Sequence, residues 1–189
     1  MSMNIKKLVG EICYLAPINV DHAELWTEWM NDLEVTIPLG DEAYEMITLD
    51  NQRELINNMI KNGVHLFSIC DLVTDEIIGR SMLLGIDLVN RTARFGIAIG
   101  NKNFWNRGYG QEATRLTLDY GFNLLNLNSI MLGTFSFNKR AIRCYEKAGF
   151  KEIGKRRQAR IIGEMKYDVV FMDILAEEFE SVFIQGLVK

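Results

Sequence analysis

Apolar and polar positions recur along this chain with two periods, and the switches between them mark its elements. Residues 11–17 read as a first strand. Asn19 or Asp21 then caps a helix striped with Ala23, Leu25, Trp26, Trp29 and Met30, spaced three or four apart as one helical face requires. Residues 32–48 show no period and hold Pro38, Gly40 and several acids, so they read as loop with at most a short helix. A second helix follows Asp50, carries Leu55, Ile56, Met59 and Ile60, and stops near Asn62-Gly63. Strands then take over at 64–70, 77–88 and 92–99. The turn at 71–76, rich in Asp and Thr, and Val89-Asn90-Arg91 join them into an antiparallel meander.

The second half alternates. A strongly apolar helix covers about 111–125, a strand 129–136, and a helix opens at Asn138 and closes on Gly149 as the residue just past its end. Strands at 150–154 and 166–175 and a helix over 177–184 complete the set. This order predicts an α+β fold, a central mixed but mostly antiparallel sheet with helices on both faces. The 189 residues, 48% hydrophobic, suffice for one domain at 11–175, with a tail at 1–10 and a helical extension at 176–189.

Composition narrows the chemistry. A formal net charge of -4 argues against nucleic acid as the main partner. No apolar run is long enough to span a membrane, so no membrane partner is expected. The start of the chain has no apolar stretch of a signal peptide. Cys13, Cys70 and Cys144 are odd in number and widely spaced, which suits a reduced, cytoplasmic setting. His22 and His65 are the only histidines and lie far apart, so neither a zinc site nor a Ser-His-Asp set is expected and no metal is predicted. His65 reads as structural, with a role as a base left open. Nothing distinguishes a monomer from a homodimer.

The richest segment is Trp105-Asn106-Arg107-Gly108-Tyr109-Gly110-Gln111-Glu112-Ala113. Two glycines lie between a strand and a helix, where the chain turns tightly and the first helical turn points unpaired N–H groups at an anion. The spacing Gly108-x-Gly110-x-x-Ala113 also fits a dinucleotide fingerprint. That motif, however, follows the first strand of a βαβ unit and places an acid at the end of the next strand. Here a meander precedes it, and the next strand ends Thr134-Phe135-Ser136-Phe137.

Geometry then brings a second segment to the loop. A helix of about 15 to 18 residues travels about 22 to 27 Å, and a strand of about 8 residues returns about 26 Å. Asn138 should therefore come back beside the glycines. Tyr145, seven residues on, lies two helical turns along the same face. Asn138 also reads as an N-cap, with its amide donor left free for a ligand. Cys144 reads as a small buried residue, and Trp105 as an anchor for the loop.

The glycine loop resembles the pyrophosphate loop of the GCN5-related N-acetyltransferase (GNAT) superfamily. Trp105 stands at that motif's Gln or Arg position, as in the ribosomal-protein N-acetyltransferase (RimJ/RimL)-like branch. The run Asn138-Lys139-Arg140-Ala141-Ile142-Arg143-Cys144-Tyr145-Glu146-Lys147-Ala148-Gly149-Phe150 is similar to the family's Asn-x-x-Ala-x-x-x-Tyr block. The resemblance implies a splay between the fourth and fifth strands, with acetyl-coenzyme A in the gap. It implies that Ile97, Ala98 and Ile99 bind the pantetheine and thioester through the backbone. Arg107, Gly108, Tyr109, Gly110, Gln111, Glu112 and Ala113 would hold the pyrophosphate, and Asn138, Arg140 and Ala141 would contact the cofactor. Tyr145 would be the general acid.

The implied reaction is direct attack of a primary amine on the thioester. The acceptor is open: a protein N-terminal amine, a spermidine-type polyamine, or an amino-acid or antibiotic amine. The order Arg156, Arg160, Gly163, Tyr167, Asp168 and Met172 also resembles spermidine acetyltransferases. A non-catalytic acyl-CoA-binding module is the reading from another class. For the base, Glu34, Asp87 and Glu164 are the acids considered, and those of 32–45 are either a solvated loop or an acceptor entrance.

Overall fold

The computed structural model describes residues 4–187. One eight-stranded sheet runs through it in the order β1-β2-β3-β4-β5-β6-β8-β7. The strands are β1 (Leu8–Val9), β2 (Cys13–Pro17), β3 (His65–Asp71), β4 (Ile77–Asp87), β5 (Thr92–Ile99), β6 (Ser129–Phe135), β7 (Lys151–Ile162) and β8 (Met165–Leu175). Every neighbouring pair is antiparallel except β5 and β6. The helices are α1 (Ala23–Met30), α2 (Leu33–Thr36), α3 (Leu49–Lys61), α4 (Tyr109–Asn123), α5 (Lys139–Ala148) and α6 (Ile184–Leu187).

Strand alternation explains why both faces need cover. On β3, Phe67 and Ile69 join the cluster that includes Ala113 and Leu116 of α4. Leu66, of the opposite parity, joins Trp26, Trp29 and Ile56 of α1 and α3. A third cluster on the α4 side gathers Leu83, Phe95, Leu118, Phe122, Tyr145 and Phe150. Gly79 exists because β4 and β5 meet closely there: a Cβ would stand 2.2 Å from the Ala98 carbonyl oxygen.

The one parallel pair holds only over Thr92–Arg94 against Ser129–Met131. Beyond it, β5 continues to Ile99 and β6 to Phe135 without pairing each other. This is the expected splay, displaced in numbering. Leu8 and Val9, expected in the tail, pair with Leu15 and Tyr14 and add a strand, so the splay lies between β5 and β6.

Other boundaries shift for local reasons. β7 is far longer than 150–154 because its polar, Arg-rich second half lies mostly exposed and is held by β8, not by an apolar period. The helix expected over 177–184 is a 3₁₀ turn at Ala176–Glu178 followed by α6. The carboxylate of buried Asp119 accepts N–H bonds from Val182, Phe183 and Ile184 at 2.9, 2.7 and 3.1 Å. These hold the intervening segment in a non-helical path.

Candidate active site

The splay opens a cleft of about 480 Å³ between β5, the loop before α4, α5 and the 35–42 segment. Gly108 takes a left-handed φ of 92° as the N-cap of α4 and provides no side-chain cap. Asn106, two residues earlier, is also left-handed at 59°. The first hydrogen bond of the helix runs from the Glu112 N–H to the Gly108 carbonyl at 3.0 Å. The N–H groups of Gly108, Tyr109, Gly110 and Gln111 have no acceptor among the described residues, and these four residues line the cleft. An uncapped helix start facing a cavity is an anion site in waiting.

The remaining loop residues are divided by the helix. Arg107 sits on the outside, donating to the Asn103 carbonyl at 3.3 Å and stacking on Phe104. Glu112 turns away from the cleft. Its carboxylate accepts from the N–H groups of Glu11, Ile12 and Cys13 at 2.7, 3.0 and 2.7 Å. Ala113 is fully buried under β2 and β3. None of Arg107, Glu112 and Ala113, three residues expected at the cofactor, lines the cleft, because the side chains of the first turn alternate between cleft and core. Tyr109 shares the division. Its backbone lines the cleft while its hydroxyl donates to Asp71 Oδ2 at 2.5 Å, which pushes the phenol up to about 12.

Asn138 returns to the loop as the travel of α4 and β6 requires. Its Oδ1 accepts from the Ala141 N–H at 3.2 Å, and its amide reaches the Pro38 carbonyl across the cleft at a long 3.4 Å. Ile97, Ala98, Ile99, Arg140 and Ala141 also line the cavity. Trp105 donates from Nε1 to the Ile99 carbonyl at 2.7 Å, and the Arg140 guanidinium lies 3.8 Å over its ring. The anchor role read for Trp105 is therefore realised, and the anchor also orients Arg140.

Tyr145 lies at the cleft floor, 9% exposed, edge-on to Phe95 and Phe150. Burial pushes its phenol well above the ordinary value, so it is protonated throughout the neutral range. Cys144 beside it is pushed up to about 11 by burial and is a thiol, not a thiolate nucleophile. His65 bonds the Tyr120 hydroxyl at 2.8 Å and does not line the cleft.

The three acids considered for the base do not line the cleft. Glu34 and Asp32 hold Lys102 at 2.5 and 2.8 Å, Asp87 closes the β4–β5 turn through the N–H groups of Val89 and Asn90, and Glu164 sits in the β7–β8 turn. Among the described residues, Glu42 is the one acid lining the cleft, against Arg80, Arg140, Arg143 and Lys147. Four cations to one acid reverse the sign of the whole chain, whose net charge is -4. The cavity therefore suits a polyanion. Arg80 did not stand out in the sequence, since it lies in no motif; Glu42 falls among the acids of 32–45 read as either a solvated loop or an acceptor entrance. No group of three metal-ligating side chains is present among the described residues.

Comparison with known proteins matches the geometry. Residues 13–151 match the model of the acetyltransferase (GNAT) domain. A Bacillus licheniformis protein named "Uncharacterized N-acetyltransferase p20" is 29% identical over 183 residues, covering 93% of this chain and 99% of its own. The spermidine N(1)-acetyltransferase of Vibrio cholerae serotype O1 is 30% identical, covering 74% of this chain and 79% of its own. A crystal structure of spermidine N-acetyltransferase from Vibrio cholerae in complex with CoA and spermine superposes with a TM-score of 0.81. The two are 27% identical, with 89% of this chain and 98% of that one covered.

Proposed function

This chain belongs to the GNAT acetyltransferase family, and on that premise we propose how its cleft divides the work of moving an acetyl group to a primary amine. The reaction is acetyl-coenzyme A-dependent N-acetylation. The single observation that carries the assignment of roles is the uncapped first turn of α4 opening into a cationic cleft.

The N–H groups of Gly108, Tyr109, Gly110 and Gln111 hold the diphosphate, which supplies the negative charge that an open helix start favours. Arg140, Arg143 and Lys147 of α5 add cations along the same wall. The edge of β5 over Ile97, Ala98 and Ile99 is left free by the splay and orients the pantetheine arm and the thioester carbonyl through backbone groups. Asn138 keeps its cap bond through Oδ1 and turns its amide donor, held only loosely by Pro38, to the same arm. When bound, acetyl-coenzyme A supplies the activated acyl group.

Tyr145 donates the proton that the departing thiolate sulfur takes up. Its raised pKa keeps the phenol protonated for that task. Glu42, the carboxylate lining the acceptor side, takes the proton lost by the amine, directly or through water. No covalent enzyme intermediate is required, in line with a cleft whose one cysteine is held as the thiol.

The acceptor is a small-molecule or peptide amine. A polyamine is the second reading, favoured by relatives named as spermidine acetyltransferases. Two measurements test the whole. Calorimetry should give saturable binding of coenzyme A, lost when Gly108 and Gly110 are both replaced by Val. Release of free thiol should depend on an added amine. Binding of coenzyme A with no thiol release on any amine would favour a non-catalytic binding module.

A further inference from the structure

β4 carries an arginine where its neighbours are apolar. Arg80, Met82 and Leu84 share one parity on that strand and line the cleft on the side of α1 and the 35–42 segment. The opposite parity, Ser81 and Leu83, packs toward α4. Arg80 is aligned with Ala98 of β5, so it stands one strand away from the edge assigned to the thioester, in the same cleft as Glu42.

Its environment is unfinished. The side chain is 9% exposed and lies 4.8 Å over the Trp26 ring. Nη2 touches Met30 Sδ at 3.5 Å and reaches Glu42 Oε1 only at 3.6 Å, beyond a good hydrogen bond. Nε is buried and has no acceptor among the described residues. A buried guanidinium with open donors is costly unless an anion completes it.

The other buried arginine is held more directly through its guanidinium end, although its Nε too is buried without an acceptor among the described residues. Arg160 donates to the Gly40 carbonyl at 2.9 Å, stacks between Tyr44 and Phe135, and does not line the cleft. Arg160 is an anchor for the 35–44 segment. Arg80 lines the cavity, and among the described residues Met30 Sδ is the one hydrogen-bond acceptor its guanidinium reaches, with Glu42 as a longer ion pair.

We propose that Arg80 binds a carboxylate of the acceptor, so that the preferred substrate is a primary amine carrying a carboxylate, an amino acid or short peptide, not a polyamine. The inference rests on the acetyl-transfer reading above and names the substrate class of that same site. Charge balance supports it. A polyamine needs several carboxylates in the cavity, yet Asp32 and Glu34 are taken by Lys102, Asp41 does not line the cavity, and Glu42, the one acid that does, already stands 3.6 Å from Arg80. A zwitterion fits the pair that is present: its amine toward Glu42, its carboxylate on the planar fork of Arg80.

The test compares chemical twins. Thiol release is followed with L-lysine against cadaverine, L-phenylalanine against phenethylamine, a panel of dipeptides against their C-terminal amides, and spermidine. For the best acceptor, kcat/KM should exceed that of its carboxylate-free twin by tenfold or more. Free amino acids outperforming dipeptides, or the reverse, identifies the source of the carboxylate. In Arg80→Met the ratio should fall to about one, and in Arg80→Lys it should fall only partly. Spermidine or a carboxylate-free twin acting equally well or better on the unaltered protein overturns the inference and leaves acetyl transfer standing, whether or not the variants fold. A ratio unmoved in a folded Arg80→Met also overturns it. No thiol release with any amine overturns both readings.

Discussion

Replacing Tyr145 by Phe removes one oxygen from the floor of the cleft and little else. The ring keeps its edge contacts with Phe95 and Phe150, at centroid distances of 6.2 and 5.9 Å. No described residue pairs with the hydroxyl, so no partner is orphaned and stability should stay within about 0.5 kcal/mol. Catalysis is a different matter. General acids contribute about 10²–10⁴-fold. A thiolate is a fair leaving group, since a free thiol has a pKa of about 8.5, so the lower end applies. The expected loss in kcat is about 10²-fold, or ~2.7 kcal/mol. Coenzyme A affinity should barely change, because the diphosphate is held by backbone groups at the start of α4, a different element from the α5 that carries Tyr145. Burial raises the phenol's pKa. The unaltered enzyme should therefore gain activity with pH as the amine deprotonates, and show no alkaline limb from this group up to about pH 10. Stopped-time thiol assays across pH, with calorimetry on coenzyme A, read all three quantities. A Tyr145→Phe protein with kcat within threefold of the original would remove the phenol from the reaction.

Three further outcomes are expected. Glu42→Gln should lower kcat/KM about tenfold or more in the same thiol assay; an unchanged kcat/KM would exclude Glu42 as the proton acceptor. Gly108→Ala forces a side chain into a φ of 92° and brings a Cβ to 3.4 Å from Ile12 Cδ1, at a cost of about 1–2 kcal/mol, seen as a lower Tm together with a weaker Kd for coenzyme A. Asp119→Ala strands the N–H groups of Val182, Phe183 and Ile184; a loss of about 2–4 kcal/mol and new protease cleavage between residues 180 and 187 should follow.

Much of the fold was readable because its elements obey simple periods. The meander of β3, β4 and β5 has alternating residues and polar turns, and Gly149, left-handed at 107°, ends α5 where the sequence places the stop. The joint position of the glycine loop and Asn138 followed from lengths alone, since a helix and the strand after it nearly cancel in travel. What stayed hidden was carried by long-range contacts. β1 is two residues long and exists through β2; the outer half of β7 exists through β8. Within 107–113 the sequence could not say which residues face inward, because Glu112 finds its donors about a hundred positions away at Glu11, Ile12 and Cys13. Arg80 was invisible for the same reason: it is an isolated charge between Gly79 and Ser81, whereas Glu42 is one of several acids in 32–45, and only the fold shows which of them lines the cleft beside Arg80.

Glu112 and Asp119 lie seven positions apart, hence on one side of α4. One grips the strap before β2 and the other the segment after β8. The same rod that offers its open end to a diphosphate is thereby the peg on which two distant stretches of chain hang. Loading that end should tighten both, by reciprocal linkage. Amide exchange at residues 11–13 and 182–184 would then slow on addition of coenzyme A, although neither stretch touches it.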